Sequence, residues 1–142
     1  MINYILPIAL VILSNFCYHI IAKSMPQQVN PLASLFVTYL TSAGCTLLLM
    51  LFANSPKGLF MQFKNINWTS FVLGISIIGL EYGYIRAYRA GWNISICSLV
   101  ANIVLAVLLI AVGVLAYKEH ISAYQTAGIF LCVAGLLLIN KQ

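Results

Sequence analysis

The chain has 142 residues, 63% of them hydrophobic and only 6% charged, with a formal net charge of +5. A soluble domain carries roughly a quarter charged residues, so this composition excludes a water-clothed globule and points to an integral membrane protein. The seven basic residues are scattered and form no patch, which excludes a nucleic-acid surface and suits anchors at helix ends.

A spanning helix needs about 20 mostly apolar residues, and five stretches qualify. The first covers residues 4–22. Its start, Met1-Ile2-Asn3-Tyr4, lacks the basic head of a cleavable leader, so the stretch is expected to remain as a span. The second covers 31–53, with Pro31 suited to the first turn of a helix. Between it and the third span, Leu59, Phe60, Phe63 and Ile66 recur at helical spacing, which predicts a short interfacial helix over 57–67. The third span covers 68–90 and opens on Trp68 in the aromatic belt. Gly91-Trp92-Asn93 makes a short turn into the fourth, 94–117. Lys118-Glu119-His120 then folds the fifth, 121–139, back as a tight hairpin. The fold class is therefore all-α integral membrane, one domain of five transmembrane helices over residues 1–142.

With five spans, Lys57, Lys64 and Lys118 share one side with the N-terminus, while Lys23, Arg86, Arg89 and Lys141 lie on the other. Orientation follows Lys/Arg asymmetry, and three against four is almost none. Such a balance permits insertion both ways.

The four cysteines each sit within an apolar stretch without CxxC or His at ligand spacing, so they read as packing residues. There is no Ser/His/Asp set, P-loop, GxGxxG or HExxH. No catalytic residue, metal or cofactor is expected, and the chain is read as not an enzyme.

Polar groups inside the spans carry the functional reading. Of the two acids, Glu81 falls within the third span, and a carboxylate at that depth is costly enough to be a functional candidate by default. The competing reading is an ion pair with Arg86 or Arg89. Gly79 and Gly83 flank Glu81 as a GxxxG that admits another helix backbone. Tyr84 and Tyr88 follow at i+3 and i+7 on the same face, rings able to hold an organic cation. On the first span Asn15 and His19 stand at i and i+4. On the fourth, Ser95, Ser98 and Asn102 form one polar stripe. Thr38, Tyr39, Thr41 and Ser42 of the second span read as packing groups. A substrate- or proton-binding cavity is thus expected from Glu81, Tyr84, Tyr88, Asn15, His19, Ser98 and Asn102.

The run Val114-Leu115-Ala116-Tyr117-Lys118-Glu119-His120-Ile121-Ser122, followed by Gln125, Gly128 and Gly135, resembles the closing signature of the EamA-like repeat of the drug/metabolite transporter superfamily. The motif covers roughly the last third of the chain, and the span count extends the likeness to the whole. Glu119 and Ser122 are read as capping the fifth helix, with Gly128 and Gly135 letting it pack. Where the family carries a proline near the start of the fourth helix, this chain has Leu99-Val100-Ala101-Asn102-Ile103.

The resemblance implies one repeat of an inverted-repeat transporter, a half-size relative of the small multidrug resistance proteins. It further implies a second copy of the chain, inserted antiparallel, or a paralogous half as partner. The expected function is alternating-access transport of a small organic metabolite or drug-like solute across a bacterial inner membrane. Alternatives are a non-transporting scaffold or regulatory subunit, and half of a heterodimer moving a lipid-linked sugar whose phosphate meets Arg86 and Arg89.

Overall fold

A computed structural model describes residues 2–53, 63, 64, 66–120 and 122–139. Every regular element among them is an α-helix: α1 (Ile2–Ser24), α2 (Pro31–Ala53), α3 (Trp68–Arg89), α4 (Ile94–Tyr117) and α5 (Ala123–Ile139). Most of the segment 57–67, expected as an interfacial helix, lies outside the described residues. At its end the Ile66 amide donates to the Phe63 carbonyl (3.2 Å).

Four helices, α1 to α4, are long and apolar enough to cross a bilayer. Their large side chains face outward: Leu6, Phe16, Phe36, Leu49, Phe71 and Leu108 are all more than half exposed. Only acyl chains solvate such a surface, and the protein is a multi-pass membrane protein. Helix α5 has 17 described residues, about 26 Å of rise against a hydrocarbon core of roughly 30 Å.

Local chemistry sets the helix ends. Asn30 Oδ1 accepts the Leu32 amide (2.9 Å), so Asn30 caps α2 while Pro31 fills the first position, where its missing N–H costs nothing. Asn67 caps α3 by accepting the Thr69 amide (3.0 Å) and the Thr69 hydroxyl. The turn into α4 passes through Gly91 at φ 100°, a conformation that side chains with a Cβ avoid. Helix α4 ends on Lys118 in the left-handed region (φ 53°), which lets the Glu119 amide reach back to the Gly113 carbonyl (3.0 Å).

At α5 the expected cap is shared differently. Ser122 Oγ accepts the Gln125 amide (3.2 Å), and Gln125 Oε1 accepts the Ser122 amide (2.8 Å). This is a reciprocal capping box, and it starts the helix at Ala123 rather than 121. Glu119 takes no part in it.

The chain divides into two compact units, Ile20–Ala90 and the pair of segments Met1–His19 and Gly91–Gln142. In the first, α2 packs on α3; in the second, α4 packs on α5. Helix α1 runs through the division.

Candidate functional site

The unit Ile20–Ala90 is locked at one end by basic side chains. Arg89 Nη2 donates to the carbonyls of Pro26 (3.0 Å) and Val29 (2.7 Å), tying the α1–α2 loop to the C-terminus of α3. Lys23 Nζ donates to the Tyr88 carbonyl (3.5 Å) and lies 5.5 Å from the centre of the Tyr88 ring. Both cations meet the negative end of the α3 dipole. The buried positions of this unit are Ala22, Leu35, Ile85 and Tyr88.

This lock fixes depth. Tyr39 lies eight residues inside α2 from Pro31, and Glu81 lies eight residues inside α3 from Arg89. The two helices are antiparallel and start from the same locked end. At 1.5 Å per residue both side chains sit about 12 Å into the bundle. The Glu81 carboxylate accordingly stands within electrostatic and hydrogen-bonding reach of the Tyr39 hydroxyl. Tyr39 Oη is closed off from solvent and completes no hydrogen bond of regular geometry. One turn further along α3, the half-buried Tyr84 stacks on Tyr88, ring centres 6.0 Å apart at 27°.

These contacts redistribute the expected roles. Among the described residues, Glu81 forms no ion pair with Arg86 or Arg89; Arg89 is spent on backbone carbonyls and Arg86 is exposed. Tyr88 is 4% exposed, its ring holds Lys23, and Tyr84 stacks on it. Tyr39, read from the sequence as packing, is the group that meets Glu81. Matching residue counts from Pro31 and Arg89 would have found it, once those two ends were known to be joined.

The hydroxyls of α2 do not act as glue between helices. Thr38, Thr41, Ser42 and Thr46 donate to the carbonyls of Ser34, Val37, Thr38 and Ser42 on their own helix. Each satisfies a polar group in place. No described atom of their own unit lies within 4 Å of where a Cβ would stand at Gly79 or Gly83. The face those glycines open therefore remains uncovered within the unit.

The second unit holds the other expected residues. Asn15 is exposed and His19 half-buried; the His19 ring meets Tyr18 edge-on, 5.2 Å between centres. Ser98 donates to the Ser95 carbonyl (3.4 Å), and Asn102 is exposed. Asn102 opens onto a cavity of about 460 Å³ between α4 and α5, whose other end is framed by Glu119, His120 and Gln125. Gly128 lines this cavity. Neither it nor Gly135 has a described neighbour within 4 Å of a Cβ position. Gly128 thus widens a hollow, and α5 makes its contact with α4 elsewhere. At Gly113 a Cβ would meet Glu119 Oε2 at 2.6 Å, so a side chain there would push the flexible carboxylate aside.

None of the four cysteines is in a disulfide; Cys97 is buried, whereas Cys17, Cys45 and Cys132 are exposed. No group of His, Cys, Asp and Glu that could hold a metal occurs among the described residues.

Comparison of the chain with protein-family models, curated proteins and solved structures finds no match.

Proposed function

We propose that this membrane protein is a secondary transporter of a small organic solute, with Glu81 as the group that binds the solute's positive charge or a coupling proton. The observation that carries the reading is the Glu81–Tyr39 pair, an acid and a closed-off hydroxyl at one depth within two apolar spans. A buried hydroxyl lacking a regular partner costs about 1–3 kcal/mol, and a charge at that depth costs several more. Such a pair is stabilised by whatever completes it. A proton on the carboxyl removes the charge, and a cation balances it; binding of one displaces the need for the other. Competition of this kind couples solute to proton without an enzyme's chemistry. Tyr84, at i+3 from Glu81, brings an aromatic ring to the same helix face.

The resemblance of residues 114–135 to the EamA-like repeat supports the same reading. In it, α5 is the fifth span, and the chain is one repeat of an inverted pair. The partner is then a second copy inserted antiparallel, favoured here by the three-to-four balance of basic residues, or a paralogous half. The proposed location is a bacterial inner membrane.

The test is flux in proteoliposomes, with tetraphenylphosphonium as probe and an imposed pH gradient as driving force. Glu81→Gln keeps the shape of the side chain and removes its charge, and it is expected to abolish gradient-driven uptake. Uptake equal to wild type would remove Glu81 from the mechanism.

A further inference from the structure

The cavity between α4 and α5 shares no lining residue with the Glu81 pair and has its own chemistry. Its wall is apolar, built from Ile103, Val107, Ile110 and Ile129, and only Glu119, His120, Gln125 and Asn102 bring polar atoms to it. At about 460 Å³ it falls within the roughly 300–1,000 Å³ of sites that hold small molecules. The polar groups are not mixed along it. Asn102 lies at one end, eleven residues or about 16 Å of helix rise from Gly113, against which the Glu119 carboxylate folds.

That folding sets the depth of the carboxylate. Gly113 lies four residues inside the end of α4, so Glu119 Oε2 reaches about 6 Å back from the helix terminus. With α4 about 36 Å long against a hydrocarbon core of roughly 30 Å, a helix centred in the bilayer would put this carboxylate near the edge of that core. No ion pair involves Glu119 among the described residues, and the lining includes no lysine or arginine. Leu108, Phe130 and Leu131 on the same helices are more than half exposed. Whatever enters the groove comes from among acyl chains.

We infer that the α4–α5 groove is a binding site for an amine-headed phospholipid, its ammonium on Glu119 and His120 and an acyl chain along the apolar wall towards Asn102. Three features select that occupant. The charged side chain in the lining is the Glu119 carboxylate, which calls for a cation. Its depth matches a headgroup. The wall beneath it matches a chain rather than a compact polar solute. A primary ammonium also donates hydrogen bonds to carboxylate and imidazole, which a quaternary ammonium does not. The site does not depend on the transport reading.

The experiment is native mass spectrometry of the full chain released from detergent and titrated with phosphatidylethanolamine, phosphatidylcholine, phosphatidylglycerol or dodecylamine. Phosphatidylethanolamine is expected to bind about tenfold more tightly than the other two phospholipids, the scale of one charge-assisted hydrogen bond. Glu119→Gln should bring the three to parity. Gly113→Ala, whose methyl displaces the carboxylate, should weaken the preference, and Ile110→Trp, which fills the groove, should remove bound lipid altogether. Equal binding of the three lipids to wild type overturns the inference. So does binding of dodecylamine without phosphatidylethanolamine, which would assign the groove to a soluble amine. A change of oligomeric state in Ile110→Trp with lipid binding intact would assign it to a second copy, and equally overturns it.

Discussion

The proposed site pairs Glu81 with Tyr39, two residues that no shared sequence motif connects. Each lies eight residues from one locked helix end, and the lock is Arg89 on two loop carbonyls. Arg89→Ala should lower the melting temperature of the purified protein by the loss of about 2 kcal/mol, two hydrogen bonds from a charged donor that is half-buried. Arg89→Lys should recover little, because a single ammonium does not reproduce the forked guanidinium. Recovery to wild-type stability by lysine would show that charge alone holds the loop. Tyr39→Phe removes the unpartnered hydroxyl. By removing that cost it should leave stability at or up to about 1–3 kcal/mol above wild type while lowering flux about tenfold, which separates a structural role from a binding one. Glu81 was legible from the sequence as a candidate, since an acid within a span stands out on cost alone. Tyr39 was not, because a tyrosine between threonines is ordinary until the register of α2 against α3 is known. Tyr88 was legible as an aromatic near the acid, but its capture by Lys23, 65 residues away in sequence, was beyond local patterning.

At the level of elements, the helices and their ends follow from short-range chemistry. Asn30-Pro31, Asn67, Gly91 and Ser122 each punctuate the chain by a local mechanism, so helices α2 to α5 begin where local chemistry directs them. The end of α4 was less legible. Lys118 in the left-handed region is an unusual choice where glycine is common, and Glu119 folds onto Gly113 instead of capping α5. The capping box is the feature of α5 most open to test. Ser122→Ala should destabilise the α4–α5 unit by about 1 kcal/mol, read as faster amide exchange in the first turn of α5 with exchange in α2 unchanged. Unchanged exchange at Thr126 would show that packing alone starts the helix. Gly91→Ala should cost more than 1 kcal/mol, because its φ of 100° is closed to alanine.

The whole molecule is a multi-pass membrane protein whose two units each pair one long hairpin of helices. Composition alone established this class, since too few charges exist to clothe a soluble surface. Orientation was not legible, because the basic residues are divided three to four. In the proposed transporter the uncovered face at Gly79 and Gly83 is available to a second copy, and the even charge lets that copy insert inverted. A cysteine tag at the C-terminus should then be labelled from both sides of the membrane in comparable amounts. Labelling from one side only would exclude an antiparallel homodimer and leave the paralogous half as partner. The most direct test of the central claim compares four proteins in one proteoliposome preparation with tetraphenylphosphonium as probe. Wild type and Glu119→Gln are expected to show gradient-driven uptake, Tyr39→Phe reduced uptake, and Glu81→Gln none. Wild-type uptake by Glu81→Gln, with the protein folded and reconstituted equally, would contradict the account.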